Sequence, residues 1–277
     1  MKLFVTGATG FIGSNFLNRV LADGHEVVAL KRAVKSEPRL RLVKNPIWLV
    51  KQLDEVTKAD LNGVDVIVHL AAHSMVPPYD TLENCMYWNL TAPIKLFNQA
   101  IQAGVKKFVV AGSCFEYGAS GEDYEFIPVD APLKPTLTYA ASKAAASIAF
   151  YQMAIEHNLE LSIHRIFQVY GPGEAESRLW PSLKKAAENG EDFPMTKGEQ
   201  IRDFIHVDEV VDSLYEYCLH NKVIAGKPLI RNLGTGQPMS ILEFSKMWWE
   251  KWNASGRLKV GALPYRDGEV MRYVPKI

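Results

Sequence analysis

Short apolar runs recur along the first part of the chain, and each is followed by a stretch of helical period. The runs are 2–6 (K-L-F-V-T), 26–30 (E-V-V-A-L), 46–50, 65–70 (D-V-I-V-H-L), 108–111 and 160–167. Each is short and rich in branched side chains, the pattern of a buried strand. Between them Phe16, Leu17, Val20 and Leu21 mark a helix over 14–22. Residues 54–61 read as a short helix, and 81–103 as a long one stopped by Gly104. Thr136 or Thr138 caps an alanine-rich helix that carries Tyr139. Continuous apolar strands alternating with helices predict a parallel sheet covered on both faces. The fold class is therefore α/β, doubly wound. After Pro172 the pattern changes, with helices over 179–189 (closed by Gly190), 207–219 and 241–252. Trp248, Trp249 and Trp252 read there as a buried stripe. The expected division is 1–168 for the sheet domain and 169–277 for a small, partly interleaved domain over its carboxyl edge.

Composition narrows the class of partner. The 277 residues hold 31 Lys plus Arg and 31 Asp plus Glu, so the formal net charge is zero. That balance gives no support for nucleic acid or an anionic membrane surface. Cys85, Cys114 and Cys218 are odd in number and far apart, as free thiols in a reducing compartment are. No apolar run approaches the roughly 18 residues of a membrane span. The opening M-K-L-F-V-T-G-A-T-G is broken by glycine too early for a signal peptide. A cytoplasmic protein with no metal site is expected.

The first strand runs straight into Gly7-Ala8-Thr9-Gly10-Phe11-Ile12-Gly13 and then a helix. Strand, glycine turn and helix together form a cradle for a pyrophosphate, with backbone N–H groups and the helix N-terminus turned towards it. This makes the sheet Rossmann-type and the 7–13 turn a dinucleotide site. An acid after the second strand would bind free ribose hydroxyls. Lys31 and Arg32 stand there instead, which suits the 2′-phosphate of NADP(H), with NAD(H) still possible. Leu70, Ala71 and Ala72 leave the 65–70 strand at its carboxyl end, where small side chains let a cofactor lie close. His69 reads as structural. His73 lines a substrate site or is an ordinary loop histidine. Asn89 reads as a buried polar bridge to the next loop.

Ser113 ends the 108–111 run, and Tyr139 and Lys143 lie one helical turn apart. A serine, a tyrosine and a lysine at one point can move a proton to or from an oxygen. The lysine charge favours the phenolate, and the serine holds the substrate oxygen beside the phenol.

Taken in order, the segments are T-G-A-T-G-F-I-G (6–13), H-L-A-A (69–72), Asn89, S-C-F-E-Y-G (113–118) and Y-A-A-S-K (139–143). V-Y-G-P-G (169–173), R-D-F-I-H-V-D-E-V (202–210), N-L-G-T-G (232–236) and P-Y-R-D-G-E-V (264–270) follow. In this order they resemble the extended short-chain dehydrogenases/reductases, in the branch of nucleotide-sugar epimerases, dehydratases and reductases. The resemblance implies Ser113, Tyr139 and Lys143 as catalytic, with Lys143 also on the nicotinamide ribose. It implies Gly7, Thr9, Gly10, Phe11, Ile12, Gly13 and Phe167 beside the dinucleotide. Towards a nucleoside-diphosphate sugar it implies His73, Ser113, Cys114, Phe115, Gln168, Trp180, Arg202 and Arg266. The two arginines fall where relatives grip the diphosphate or its ribose; Trp180 lies on the base or simply packs. Asp203 and Asp208 orient their neighbours. A homodimer formed by the 81–103 and 139–157 helices is also implied.

Departures from the family pattern narrow the reaction. Dehydratases follow the hydroxyl with Asp-Glu, where this chain has Cys114-Phe115. The enzymes that epimerise and then reduce carry a Cys two before the motif Tyr and a His after Gly-Pro. Phe115 and Gly173 occupy those places. Gln168 replaces the usual Asn. The remaining readings are an NADPH-dependent reduction of a 4-keto-6-deoxyhexose nucleotide, the pattern of CDP-abequose- and paratose-forming enzymes, and an NAD-dependent 4-epimerisation. A dinucleotide-sensing protein on the same fold stays open as a non-enzyme alternative.

Overall fold

The computed structural model describes residues 1–266 and 269–277. Asp267 and Gly268 of the P-Y-R-D-G-E-V segment lie outside the described residues. The chain runs β1 (Lys2–Thr6), α1 (Phe11–Ala22), β2 (Glu26–Lys31), β3 (Ile47–Val50), β4 (Val66–His69), α2 (Leu82–Met86), α3 (Ala92–Gln102), β5 (Lys107–Ser113), α4 (Thr138–Glu156) and β6 (Glu160–Ile166). It continues with β7 (Gln168–Tyr170), α5 (Leu179–Asn189), β8 (Phe193–Met195), β9 (Ile201–His206), α6 (Val207–Leu219), β10 (Leu229–Leu233), β11 (Pro238–Ser240), α7 (Ile241–Lys251), β12 (Leu258–Val260) and β13 (Arg272–Tyr273).

The central sheet has seven strands in the order β3-β2-β1-β4-β5-β6-β10. Every neighbouring pair in it is parallel. Strand order reverses between β1 and β4, so a crevice opens there at the carboxyl ends of the strands. One face is covered by α1 and α6, with Phe16, Leu17, Val210 and Leu214 fully buried against Leu3, Val5 and Val68. The other is covered by α3 and α4, with Leu96, Phe97, Ala146 and Phe150 against Phe4, Ile67 and Phe108. A smaller sheet, β11-β9-β13 with β7 parallel to β9, stands beyond the carboxyl edge. The chain enters this region at β7 and returns to the large sheet through α6 and β10.

Three expectations change. The 81–103 helix is interrupted by a π-turn at Tyr87–Thr91. Pro93 has no N–H to give the carbonyl of residue 89, and the Ala92 N–H reaches back to Tyr87. The 54–61 helix is two 3₁₀ turns, Leu53–Glu55 and Lys58–Leu61. The α4 helix is capped by neither Thr136 nor Thr138. Its N-cap is Leu137, without a side-chain bond, and Thr138 Oγ1 donates instead to the Asp80 carbonyl at 2.8 Å.

Candidate active site

The turn after β1 is built from backbone. Gly7 has φ +66°, and a Cβ there would lie 2.6 Å from Ala71 N. A Cβ on Gly13 would lie 2.1 Å from the Gly7 carbonyl oxygen. Glycine is therefore required for β1's turn, α1 and the Leu70–Ala72 segment to approach one another. Gly10 caps α1 with no side-chain bond, and the first turn holds no acid. Its N–H groups are left for an anion, the arrangement that takes a pyrophosphate. These residues fit a dinucleotide. Thr6 Oγ1 accepts from Ala71 N at 3.2 Å and pairs with His69 Nδ1 at 2.8 Å, so His69 is structural. Lys31 Nζ donates to the Val34 carbonyl at 2.8 Å and to Ser36 at 3.4 Å, over the Trp48 ring. Arg32 is exposed.

The turn after β5 is built from side chains. Ser113 caps a 3₁₀ turn over Cys114–Glu116, its Oγ accepting from Phe115 N at 3.2 Å. The Tyr139 phenol lies near enough to the Ser113 side chain for the two to interact. Burial holds the Tyr139 phenol far above its ordinary value; the Ser113 side chain opposes this and the Glu116 charge adds to it. Lys143 is buried, and its Nζ donates to the Ala111 carbonyl at 2.8 Å. Burial lowers the Lys143 ammonium, and the Glu116 carboxylate holds it up. Asn89, on the π-turn, accepts from His73 N at 2.7 Å and donates to Ser142 Oγ at 2.9 Å. It thus bridges the loop after β4 to α4, next to Lys143.

The expected substrate residues spread around this group. Cys114 is buried and its thiol is pushed up to about 12 by burial, so it is neutral. Phe115 is 37% exposed. Arg202 donates to Glu269 Oε1 at 3.0 Å and to the Val270 and Ile201 carbonyls at 2.6 and 2.9 Å, and its charge reaches Cys114. Arg266 is exposed, and it acts with Arg178 on Tyr79. His73 Nε2 lies 2.7 Å from Asp80 Oδ2, which ties its ring to the 73–80 loop. Gln168 is half-buried on β7, opposite Phe204. Trp180 packs edge-on against Trp248 and Trp252 and beside Tyr170. Phe167 is buried near Tyr117 and Tyr273. Asp203 is fully buried and accepts from Thr235 and Gly236 backbone N–H groups, an orienting role.

Sequence reasoning missed five groups here. Tyr79 stacks on Tyr139 at 6.3 Å with the rings 10° apart. Glu174, buried beside Arg178 at 3.6 Å, is pushed up to about 7 by its burial. Glu116 and Arg165 form a buried ion pair at 2.9 Å. An arginine inside the apolar β6 sequence was the available signal, since such a charge needs a buried partner.

The fold and these two turns define a Rossmann-type nicotinamide-dinucleotide oxidoreductase. The chain belongs to the NAD dependent epimerase/dehydratase family, whose model matches residues 3–234. It is an NAD(P)-dependent enzyme of the extended short-chain dehydrogenase/reductase group that modifies nucleotide sugars. It is 26% identical over 277 residues to CDP-abequose synthase of Salmonella muenchen, covering 98% of this chain and 87% of that protein. It is 30% identical over 269 residues to UDP-glucose 4-epimerase of Mycolicibacterium smegmatis, covering 88% and 80%. Among solved structures it is similar to MoeE5 in complex with UDP-glucuronic acid and NAD, with TM-score 0.81 and 27% identity, covering 100% and 90%.

Proposed function

We propose that the protein reduces the C4 ketone of a nucleoside-diphosphate 4-keto-6-deoxyhexose with NADPH. The observation that carries this is the state of the groups around Ser113. Burial keeps the Tyr139 phenol protonated beside Ser113. The next two residues are a neutral buried thiol and a phenyl ring. The one carboxylate of that turn, Glu116, is turned inward to Arg165. Such a group donates a proton; it has no second acid or base for removing water. Ser113 orients the ketone oxygen. Tyr139 gives its hydroxyl proton to that oxygen as charge develops on it, and the Lys143 ammonium balances the phenolate left behind. The dinucleotide, when bound, supplies the hydride.

In this reading residues 1–168 hold the dinucleotide and the proton-transfer group, and 169–277 hold the sugar nucleotide. Gln168, Arg202 and Arg266 face the latter, with Arg178 added from the structure. Arg202 must exchange Glu269 for the diphosphate. The protein acts in the cytoplasm; among the described residues no helix is long and apolar enough to cross a membrane. It works as a homodimer, which the exposed stripe Ile148, Tyr151 and Ile155 on α4 supports. The second reading is an NAD-dependent 4-epimerase. The local bonds of Lys31 favour it, because they draw its ammonium away from a 2′-phosphate.

The test mixes purified protein with NADPH and a panel of nucleoside-diphosphate 4-keto-6-deoxyhexoses and follows loss of NADPH absorbance. Oxidation with one member is expected and names the base. No oxidation with any member, together with NAD retained through purification and interconversion of 4-epimers, overturns the reductase in favour of the epimerase.

A further inference from the structure

We propose that the buried Glu116–Arg165 pair is a positioning device that fixes Ser113 and keeps the Tyr139–Lys143 couple in its proton-donating form. The inference rests on the reading of Ser113, Tyr139 and Lys143 as the proton-transfer group. It begins with what Glu116 touches. Its Oε1 accepts from Ser113 N at 2.8 Å. Its Oε2 accepts from Ser147 Oγ at 2.8 Å and from Arg165 Nε at 2.9 Å. Its side chain has no exposed surface, and that of Arg165 is 5% exposed.

The spacing gives these contacts their meaning. Tyr139, Lys143 and Ser147 lie four apart on α4, so they form one stripe along the helix. Glu116 binds the lowest member of that stripe and, through its other oxygen, the backbone of Ser113. One carboxylate therefore joins the turn that carries the serine to the helix that carries the tyrosine and lysine. A Cβ on Gly112 would lie 2.9 Å from Oε1, so the carboxylate is also seated against the end of β5.

The orientation of the pair gives it an electrostatic role. The carboxylate end touches α4. The guanidinium end turns away, with Nη1 donating to Tyr117 Oη at 3.1 Å and to the Val129 carbonyl at 2.9 Å. Tyr117 in turn donates to Asn232 Oδ1 at 2.6 Å, and Asn232 donates to the Ile127 carbonyl. The pair is neutral overall, yet its negative end is the nearer to Tyr139 and Lys143. A negative charge there opposes loss of a proton from either group. The other groups facing Tyr139 are Ser113, Cys114 and Tyr79; those around Lys143 are the Ala111 carbonyl and His69. The thiol and the imidazole are neutral near pH 7 and the carbonyl carries no charge, so Glu116 is the one fixed negative charge among them. A ketone reductase needs the phenol at rest; burial holds it so, and this charge adds to that.

Phenolate absorbance tests the idea without any sugar substrate. Wild type, Glu116→Gln, and each combined with Tyr139→Phe are saturated with NAD, whose cationic nicotinamide ring would oppose the effect of burial and bring the Tyr139 step down, and are titrated from about pH 6 to about pH 11. Subtracting the Tyr139→Phe counterpart isolates Tyr139. The Tyr139 step in Glu116→Gln is expected at least about one pH unit below that of wild type. A step at the same or higher pH, or no Tyr139 step in either protein, overturns the proposal. Where Glu116→Gln leaves the guanidinium unpaired and the chain unfolded, Glu116→Gln with Arg165→Gln carries the same test. Its shift is smaller and in the same direction, because the carboxylate is the nearer charge. The proton-transfer reading fails separately, by retention of turnover in Tyr139→Phe.

Discussion

The turns after β5 and β2 bring charge to the same edge of the sheet and treat it in opposite ways. After β5, Glu116 is enclosed, with a guanidinium, a hydroxyl and a backbone N–H on its two oxygens. After β2, Arg32 is exposed and Lys31 is satisfied by carbonyls of its own loop. Water screens the second pair and leaves the first at nearly full strength. The same unit of charge should therefore matter most where it is driest, and substitutions should rank accordingly.

The largest effect belongs to Tyr139. Tyr139→Phe removes the proposed proton donor and leaves the ring in place against Tyr79. Turnover should fall by about 10²- to 10⁴-fold, with NADPH affinity by fluorescence titration unchanged. A loss under about tenfold would give the proton to another group and break the contrast at its centre.

Arg165→Met comes next. It strands the Glu116 carboxylate in a closed site, and urea unfolding should report a loss of about 3–5 kcal/mol. Adding Glu116→Met should restore most of that loss, since two apolar side chains need no partners. A double variant as unstable as the single one would mean that packing, not charge, makes this turn sensitive.

His69 shows how far the dry region extends, because it lies on β4 beneath the dinucleotide turn. Burial and the Lys143 charge lower its ring to about 3 from an ordinary 6.5. Below pH 6.5 the unfolded ring takes a proton that the folded ring refuses until about 3. Its contribution is therefore intact above that range and is lost as pH falls through it. From neutrality to about pH 5 the loss is about 2 kcal/mol. His69→Gln should be less stable at neutral pH, and its stability should fall between those two values by about 2 kcal/mol less than wild type's. His164, also lowered to about 3 by burial, keeps part of the dependence in both proteins.

The ranking follows what the sequence made legible. Gly7, Gly10 and Gly13, and Tyr139 with Lys143, declare themselves because local spacing fixes their geometry. Six strands of the large sheet read correctly because a sheet buried on both faces leaves continuous apolar runs, whereas β10, with Arg231 and Asn232 in it, and the short strands of the smaller sheets did not. Glu116 did not declare itself. Its partner is Arg165, 49 residues on, and only the β5–β6 pairing brings Gly112 opposite Arg165. Thr138 looked like a cap because it begins the helix, but the loop after β4 claims its hydroxyl. The π-turn at Asn89 was hidden in regular helical periodicity, with Pro93 as its single mark. Local chemistry is legible from a sequence; long-range pairing of charge is not, except as a charged residue in an apolar strand that requires a partner.

The smallest effect is expected at the exposed turn, and it separates two ways a cation can serve a cofactor. Arg32 is free to meet a 2′-phosphate, and its fork suits phosphate oxygens. Arg32→Ala should weaken NADPH by about tenfold and leave NADH unchanged, since screening limits an exposed contact. Lys31 is bound to Val34 and Ser36, so its first task is the shape of the loop. Lys31→Ala should weaken both dinucleotides alike, by roughly two- to threefold. Fluorescence titration with the two reduced cofactors distinguishes the cases. Equal losses for Arg32→Ala would remove the proposed 2′-phosphate contact and with it the proposed preference for NADPH. A selective loss for Lys31→Ala would mean that the ammonium leaves its carbonyls on binding, and that the exposed turn rearranges where the buried one does not.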